Sequence, residues 1–274
     1  MAETFAERLP RALQARGPLC PGIDPSAATL ARWGLPDSAD GAREFALRYL
    51  DALGETVAVM KPNVAFFEQY GAAGLAVLEQ FVDAARQAGV LTILDAKRGD
   101  IASTNAAYAR AWLGPFSTLA GDALTVSPYL GLDALEPFIE AAAATGRAVF
   151  VVVRSSNLEG RLLQEASGPD GRSVEASLLD AVARRPHTLG AVVGLIARVP
   201  PLELPDGVCY LAPGLESQGA GLKELAAQFG GVTAPVVVNL SRSLAAAGPD
   251  RHALRDAARR AQERITEGLR PPQG

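Results

Sequence analysis

The run LDAKRGD at residues 94–100 crowds Asp95, Lys97, Arg98 and Asp100 into seven positions. Asp95 and Lys97 are two apart, so in an extended strand both side chains leave the same face. Asp100 follows one tight turn later, past Gly99, and Lys61 closes another apolar run, VAVMKP at 57–62. With Lys61 arriving from a neighbouring strand, these side chains form an alternating array, − + − +, in a partly desolvated cup. Opposite charges offset the desolvation that would otherwise lower a lysine pKa, so such a lysine keeps its proton and serves as an acid. A Schiff-base lysine needs the reverse, an apolar or cationic setting. The competing reading is an inter-strand salt-bridge cluster, but ion clusters are costly to bury without a use.

Other polar residues sit at the ends of apolar runs in the same way. Asp24 ends LCPGID (19–24), Arg154 with Ser155 and Ser156 ends AVFVVVR (148–154), and Arg242 follows PVVVN (235–239). Seven charged residues are thereby expected on one rim: Asp24, Lys61, Asp95, Lys97, Asp100, Arg154 and Arg242. The stretch APGLESQGAG supplies Gly214, Gly219 and Gly221 for close backbone approach and Gln218 as an amide donor. Arg242, flanked by Ser241 and Ser243, can grip a phosphate bidentately at the start of a helix. These features point to a phosphate monoester as substrate, against the alternative of a surface arginine capped by serines.

Eight short apolar, β-branched runs carry these residues: 19–24, 57–62, 91–97, 123–128, 148–154, 191–196, 209–213 and 235–239. Between them lie segments such as GLAVLEQFVDAARQAG and LGLDALEPFIEAAAATG, with helical apolar spacing and a terminal glycine. Near-continuous apolar strands separated by helices imply a parallel sheet buried on both faces. Eight such units predict an α/β fold closed as a (β/α)8 TIM barrel, one domain spanning 1–274. An open doubly wound sheet is the alternative, but its G-x-G-x-x-G fingerprint after the first strand is absent. In a barrel, functional residues gather at the C-terminal strand ends, and the loops after strands seven and eight often hold phosphate. Segments 25–42 and 155–176 are longer than a barrel loop needs, and 155–176 and 214–221 are lid candidates. His187 and His252 fall away from the rim.

A net charge of −4 and a pI near 5.4 argue against nucleic acid or an anionic membrane as partner, leaving a small molecule. Both cysteines, Cys20 and Cys209, lie in predicted strands, which favours buried thiols over a disulfide or metal framework. The first residues are charged and amphipathic, without a secretory apolar core, and no run reaches membrane-spanning length. A cytoplasmic setting is expected.

LDAKRGDIASTN at 94–105 resembles the signature of the orotidine 5′-phosphate decarboxylase family, in particular its longer bacterial subgroup (type 2). The resemblance extends through GID at 22–24, KPNVAFFEQYG at 61–71, SPYLG at 127–131, RSSN at 154–157, APG with Gln218, and SRS at 241–243. It departs from the short-form pattern in having Gly99 for a usual histidine, Ala102 for a usual proline, and no tyrosine beside Gln218. The resemblance implies that Lys97 donates the proton to C6 and that Lys61, Asp95 and Asp100 complete a charged tetrad. It further implies that Asp24 and Thr104 hold the ribose, Ser156 the pyrimidine, and Gln218 and Arg242 the phosphate. It also implies no cofactor and no metal, and a homodimer in which Asp100 and Thr104 reach across the interface. Two rival readings stand beside it. One is a Mg2+-dependent sugar-phosphate decarboxylase or aldolase of the same superfamily, against which Lys61 stands where a metal ligand would be wanted. The other is a nucleotide-binding barrel without catalysis.

Overall fold

The structure, a computed structural model, describes residues 3–216 and 219–271. Every run expected to be a strand contains one. The first half of the chain gives α1 (Phe5–Arg16), β1 (Leu19–Ile23), α2 (Ala27–Arg32), α3 (Ala39–Leu53), β2 (Val59–Pro62), α4 (Ala65–Glu68), α5 (Gly71–Gln87), β3 (Leu91–Arg98), α6 (Ala102–Leu113) and β4 (Ala123–Val126). The second half gives α7 (Glu136–Thr145), β5 (Ala148–Arg154), α8 (Arg161–Gln164), α9 (Val174–Ala183), β6 (Leu189–Val193), β7 (Cys209–Ala212), α10 (Leu222–Phe229), β8 (Val236–Leu240), α11 (Arg242–Ala245) and α12 (Arg251–Gly268). The strands pair in parallel in chain order and β8 returns to β1, closing an eight-stranded barrel. The (β/α)8 fold expected from the sequence is the fold observed.

One βα unit departs from the expected pattern. Residues 194–208, between β6 and β7, form turns and extended chain with no helix. Pro200, Pro201 and Pro205 explain it, since each removes an N–H donor and clashes with a preceding helical turn. β6 is also shifted towards the N-terminus of its predicted run, because Gly194, Leu195 and Ile196 leave the ladder. The long 25–42 segment contains α2, and 155–176 contains a 3-10 turn (Leu158–Gly160), α8 and a Ser167–Ser173 bridge.

Strand alternation sorts the core into two layers and aims the site residues. In β1, Leu19 and Ile23 pack outward among the helices while Cys20 packs into the barrel. The inner layer continues with Val59 of β2, Leu91 and Ile93 of β3, Phe150 of β5, Val192 of β6, Leu211 of β7 and Val237 of β8. Side chains two residues further on point the same way, so Lys61 and Asp95 emerge above Val59 and Ile93.

At the opposite mouth α1 acts as a plug. Phe5 and Leu9 join the inner cluster, the Phe5 ring meets Phe150 edge-on at 5.9 Å, and the Phe5 N–H donates to Gly146 O at 2.8 Å. Arg8 pairs with Asp122, just before β4, at 2.7 Å. The two cysteines are free and buried, and burial pushes the Cys20 thiol up to about 12 and the Cys209 thiol up to about 11. Among the described residues, no helix is long and apolar enough to cross a membrane.

Candidate active site

A cavity of about 720 Å³ opens at the C-terminal mouth of the barrel. Its floor is apolar, made by Val152, Val192 and Leu211. One wall carries Asp24, Lys61, Asn63, Asp95 and Lys97, and the other carries Ser155–Asn157, Pro213–Glu216, Asn239 and Ser241–Ser243.

The charged wall is a tight ion array. Lys61 Nζ lies 2.7 Å from Asp95 Oδ2, and Lys97 Nζ lies 2.5 Å from Asp95 Oδ1. The Thr125 hydroxyl donates to Asp95 Oδ1 at 3.0 Å, so the carboxylate accepts three hydrogen bonds. Lys61 is only 4% exposed, whereas the Lys97 side chain is 53% exposed, with its head in the cavity. Burial alone would raise the Asp95 carboxyl, but the charges of Lys61 and Lys97 hold it well below the usual carboxylate range. Burial alone would lower the Lys61 ammonium, but Asp95 and then Asp24 overrule it and hold it above the usual lysine range. The buried pair is therefore charged on both sides at neutral pH. Asp24 Oδ1 is buried without a partner at the edge of this array.

The opposite wall is shaped by close backbone approach. Gly214 has φ of +105°, and a Cβ there would fall 2.6 Å from Leu195 O and 2.9 Å from Ser156 Cβ, so only glycine fits. Leu195 N–H donates to Pro213 O at 2.8 Å, tying the departing ends of β6 and β7 together behind Ser156. Arg242 begins α11, is exposed, and turns its side chain to the cavity with Ser241 and Ser243 on either side. Glu216, on the same wall, is held by Arg264 at 2.6 Å. Gln218 lies outside the described residues.

Of the residues expected at the site, the barrel brings together Asp24, Lys61, Asp95, Lys97, Ser156 and Arg242. Asp100 and Thr104 do not line the cavity of their own barrel. Asp100 Oδ1 accepts from the Ile101 N–H at 2.6 Å, and the half-buried Thr104 lies on α6 beside the 62% exposed Ile101. Arg154 is a correction. It is 6% exposed and turned away from the rim, paired with Glu175 through two hydrogen bonds of 2.9 and 2.7 Å and with Pro200 O at 2.9 Å. The cause is a bulge: Val152 pairs with Val192 but Arg154 with Val193, so the strict alternation fails at the last residue of β5. His187 and His252 are exposed and away from the cavity, as expected.

Asn63, Asn239 and Thr125 were not singled out from the sequence. Asn63 and Asn239 each end an apolar run, the same signal that marked Asp24 and Lys61, and Asn239 is buried with Nδ2 donating to Cys20 O at 2.9 Å. Thr125, inside an apolar run, carries no such signal. Among the described residues no group of three or more His, Cys, Asp or Glu side chains is placed to hold a metal ion.

A closed parallel barrel with an ion array on one wall of its C-terminal mouth and an arginine between two serines on the other has the layout of a barrel enzyme acting on a small anionic substrate. Residues 17–257 match the orotidine 5′-phosphate decarboxylase / HUMPS family. The chain is 49% identical over 266 residues to an orotidine 5′-phosphate decarboxylase of Salinispora tropica, covering 94% of this chain and 95% of that one. The corresponding protein of Myxococcus xanthus is 45% identical, with coverage of 94% and 93%. Among solved structures, a Streptomyces avermitilis chain assigned to the same enzyme superposes with a TM-score of 0.92 at 46% identity, covering 98% of this chain and 96% of that one. The OMP decarboxylase of Leishmania donovani gives 0.77 at 31% identity, with coverage of 97% and 98%. This chain belongs to the orotidine 5′-phosphate decarboxylase / HUMPS family.

Proposed function

We propose that the cavity decarboxylates orotidine 5′-phosphate to uridine 5′-phosphate and CO2, the last step of UMP synthesis. The observation that carries this reading is the Lys61–Asp95–Lys97 array at the mouth of a barrel whose relatives, matched over nearly their whole length, bear that activity in their names. Breaking the bond from C6 to the carboxylate leaves an electron pair on C6 in the plane of the ring, orthogonal to its π system and so not delocalised into it. The barrier must then fall by electrostatics in a preorganised site. In this reading the Lys97 ammonium stabilises the developing charge and then passes its proton to C6, and solvent restores the proton. Asp95 orients Lys97 and lies near the substrate carboxylate, while buried Lys61 keeps Asp95 ionised.

The apolar floor suits the pyrimidine, with Ser156 hydrogen-bonding its edge. Asp24, on the cavity wall, suits a ribose hydroxyl. Arg242 and Gln218 take the phosphate. Asp100 and Thr104 act in a second copy's cavity across a homodimer interface; their position off their own cavity, beside exposed Ile101, supports this. The whole chain, 1–274, works as one domain of the longer bacterial subgroup (type 2), a reading supported by near-complete mutual coverage with bacterial relatives. Free, buried thiols suit a cytoplasmic setting.

The test is the ultraviolet absorbance loss of orotidine 5′-phosphate on adding chelator-treated protein with no metal or cofactor supplied. Conversion to uridine 5′-phosphate is the expected result. No conversion, with activity on a sugar phosphate appearing on addition of Mg2+, would transfer the protein to the metal-dependent branch. Binding of uridine 5′-phosphate without turnover of any substrate would leave a non-catalytic nucleotide-binding barrel.

A further inference from the structure

The β3–β4 ladder breaks where the ion array stands. Leu94 pairs with Leu124 and Arg98 with Val126, so four steps along β3 are matched by two along β4. Three residues, Asp95 to Lys97, stand opposite the single β4 residue between those pairs, with Asp95 still bridged to Asn63 on the β2 side, and Lys97 takes φ of +45°. A residue with a Cβ holds that conformation only where its surroundings enforce it.

Thr125 is the β4 residue facing the bulge and is 1% exposed. Its Oγ1 accepts from the Lys97 N–H at 3.0 Å and donates to Asp95 Oδ1 at 3.0 Å. The direction of both bonds is fixed, since an amide N–H only donates and a carboxylate only accepts. Beyond the bulge the chain is secured separately. The Arg98 guanidinium lies 5.2 Å from the Trp112 ring centre and pairs with Glu68, and Arg98 O accepts from Ser127 N at 2.8 Å. Within the bulge, the Thr125 hydroxyl joins the Lys97 backbone to the carboxylate that receives the Lys97 side chain. For packing in a buried strand valine would have the same outline, so the hydroxyl has its use in these two bonds.

We propose that Thr125 is a positioning residue for the decarboxylation, holding Lys97 in its left-handed turn and Asp95 in the orientation that receives Lys97 Nζ. It does not line the cavity and acts through those two residues. The inference rests on the reading of Lys97 as proton donor.

The test compares Thr125→Val with Thr125→Ser. Thr125→Val lowers kcat by about 10- to 100-fold, the loss expected for one hydrogen bond to a charged group, and leaves KM little changed. Thr125→Ser, which keeps the hydroxyl, restores most of the turnover. Wild-type kcat in Thr125→Val, or equal losses in the two variants, would overturn the proposal. A crystal structure of Thr125→Val, or of Thr125→Ala if the valine variant does not fold, gives a readout independent of activity: Lys97 leaves positive φ and the Asp95 carboxylate rotates. Unchanged Lys97 and Asp95 geometry there would also overturn it. If wild-type protein fails to convert orotidine 5′-phosphate, the parent reading falls, and that crystal structure still decides the positioning claim.

Discussion

Asp95→Asn removes one charge and keeps the size of the side chain, so it reads the electrostatics of the array directly. In the native site Oδ2 faces Lys61 Nζ at 2.7 Å, while Oδ1 faces Lys97 Nζ at 2.5 Å and the Thr125 hydroxyl at 3.0 Å. An amide has one acceptor oxygen and one donor nitrogen, so in either orientation an NH2 group meets a lysine ammonium. The better orientation gives the oxygen to Lys97 and Thr125 and strands Lys61, which at 4% exposure has almost no water to replace the lost carboxylate. Removing one partner of a buried pair costs about 3–5 kcal/mol. At roughly 2–4 °C per kcal/mol for a large domain, Tm should fall by about 6–20 °C at pH 7.

The pH dependence of that loss has a definite sign. The Asp95 pKa is depressed in the folded protein, so its contribution is complete above the unfolded value of about 3.9 and is lost as pH falls through the lower folded value. The Lys61 pKa is raised, so its contribution is complete below about 10.4 and is lost only as pH rises through the higher folded value. In Asp95→Asn, Lys61 is buried without its main counter-charge and its pKa falls. The unfolded variant then binds more protons than the folded one, and the variant gains stability as pH rises. Urea and thermal denaturation followed by circular dichroism at pH 5, 7 and 9 should show a gap that narrows towards pH 9. A variant as stable as wild type at pH 7, or a gap that widens with pH, would refute the account of the array as mutually stabilising charge.

Three further outcomes follow from the geometry. Lys97→Ala and Asp100→Ala are each expected to fold and to lack turnover; mixed after dissociation and reassociation, they should recover roughly a quarter of native activity, because in the proposed homodimer random pairing of the two variants restores one site in four. No recovery would place Asp100 outside the neighbouring site. Arg242→Ala should weaken uridine 5′-phosphate binding by about 10- to 100-fold in calorimetric titration, the loss of charge-assisted hydrogen bonds, and leave uridine binding unchanged; equal losses for both ligands would remove Arg242 from the phosphate. Arg154→Met strands Glu175, which is 5% exposed, and should cost about 3–5 kcal/mol in urea denaturation, less when Glu175→Leu is added.

What could be read in one dimension was what depends on near neighbours along the chain. Apolar runs marked all eight strands, and a charge at the end of a run marked Asp24, Lys61 and Asp95 because alternation alone turns them inward above Cys20, Val59 and Ile93. The same rule misplaced Arg154, because a bulge in β5 turns it towards Glu175, and nothing in RSSN announces a bulge. The rule found Lys97 although β3 is bulged there too. The difference lies in the partners: at β3 the bulge is held by Thr125, thirty residues away, which returns Lys97 to Asp95, whereas at β5 a buried carboxylate twenty-one residues away draws the arginine out. Asn239, reaching Cys20 across 219 residues, is a third case. Such contacts join segments brought together only when the barrel closes. The identity of the proposed reacting groups is thus written locally at strand ends, while their aim is set by hydrogen bonds between distant strands. Substitutions at those distant partners should therefore lower turnover without altering the residues that define the chemistry, and Thr125 is where that separation is sharpest.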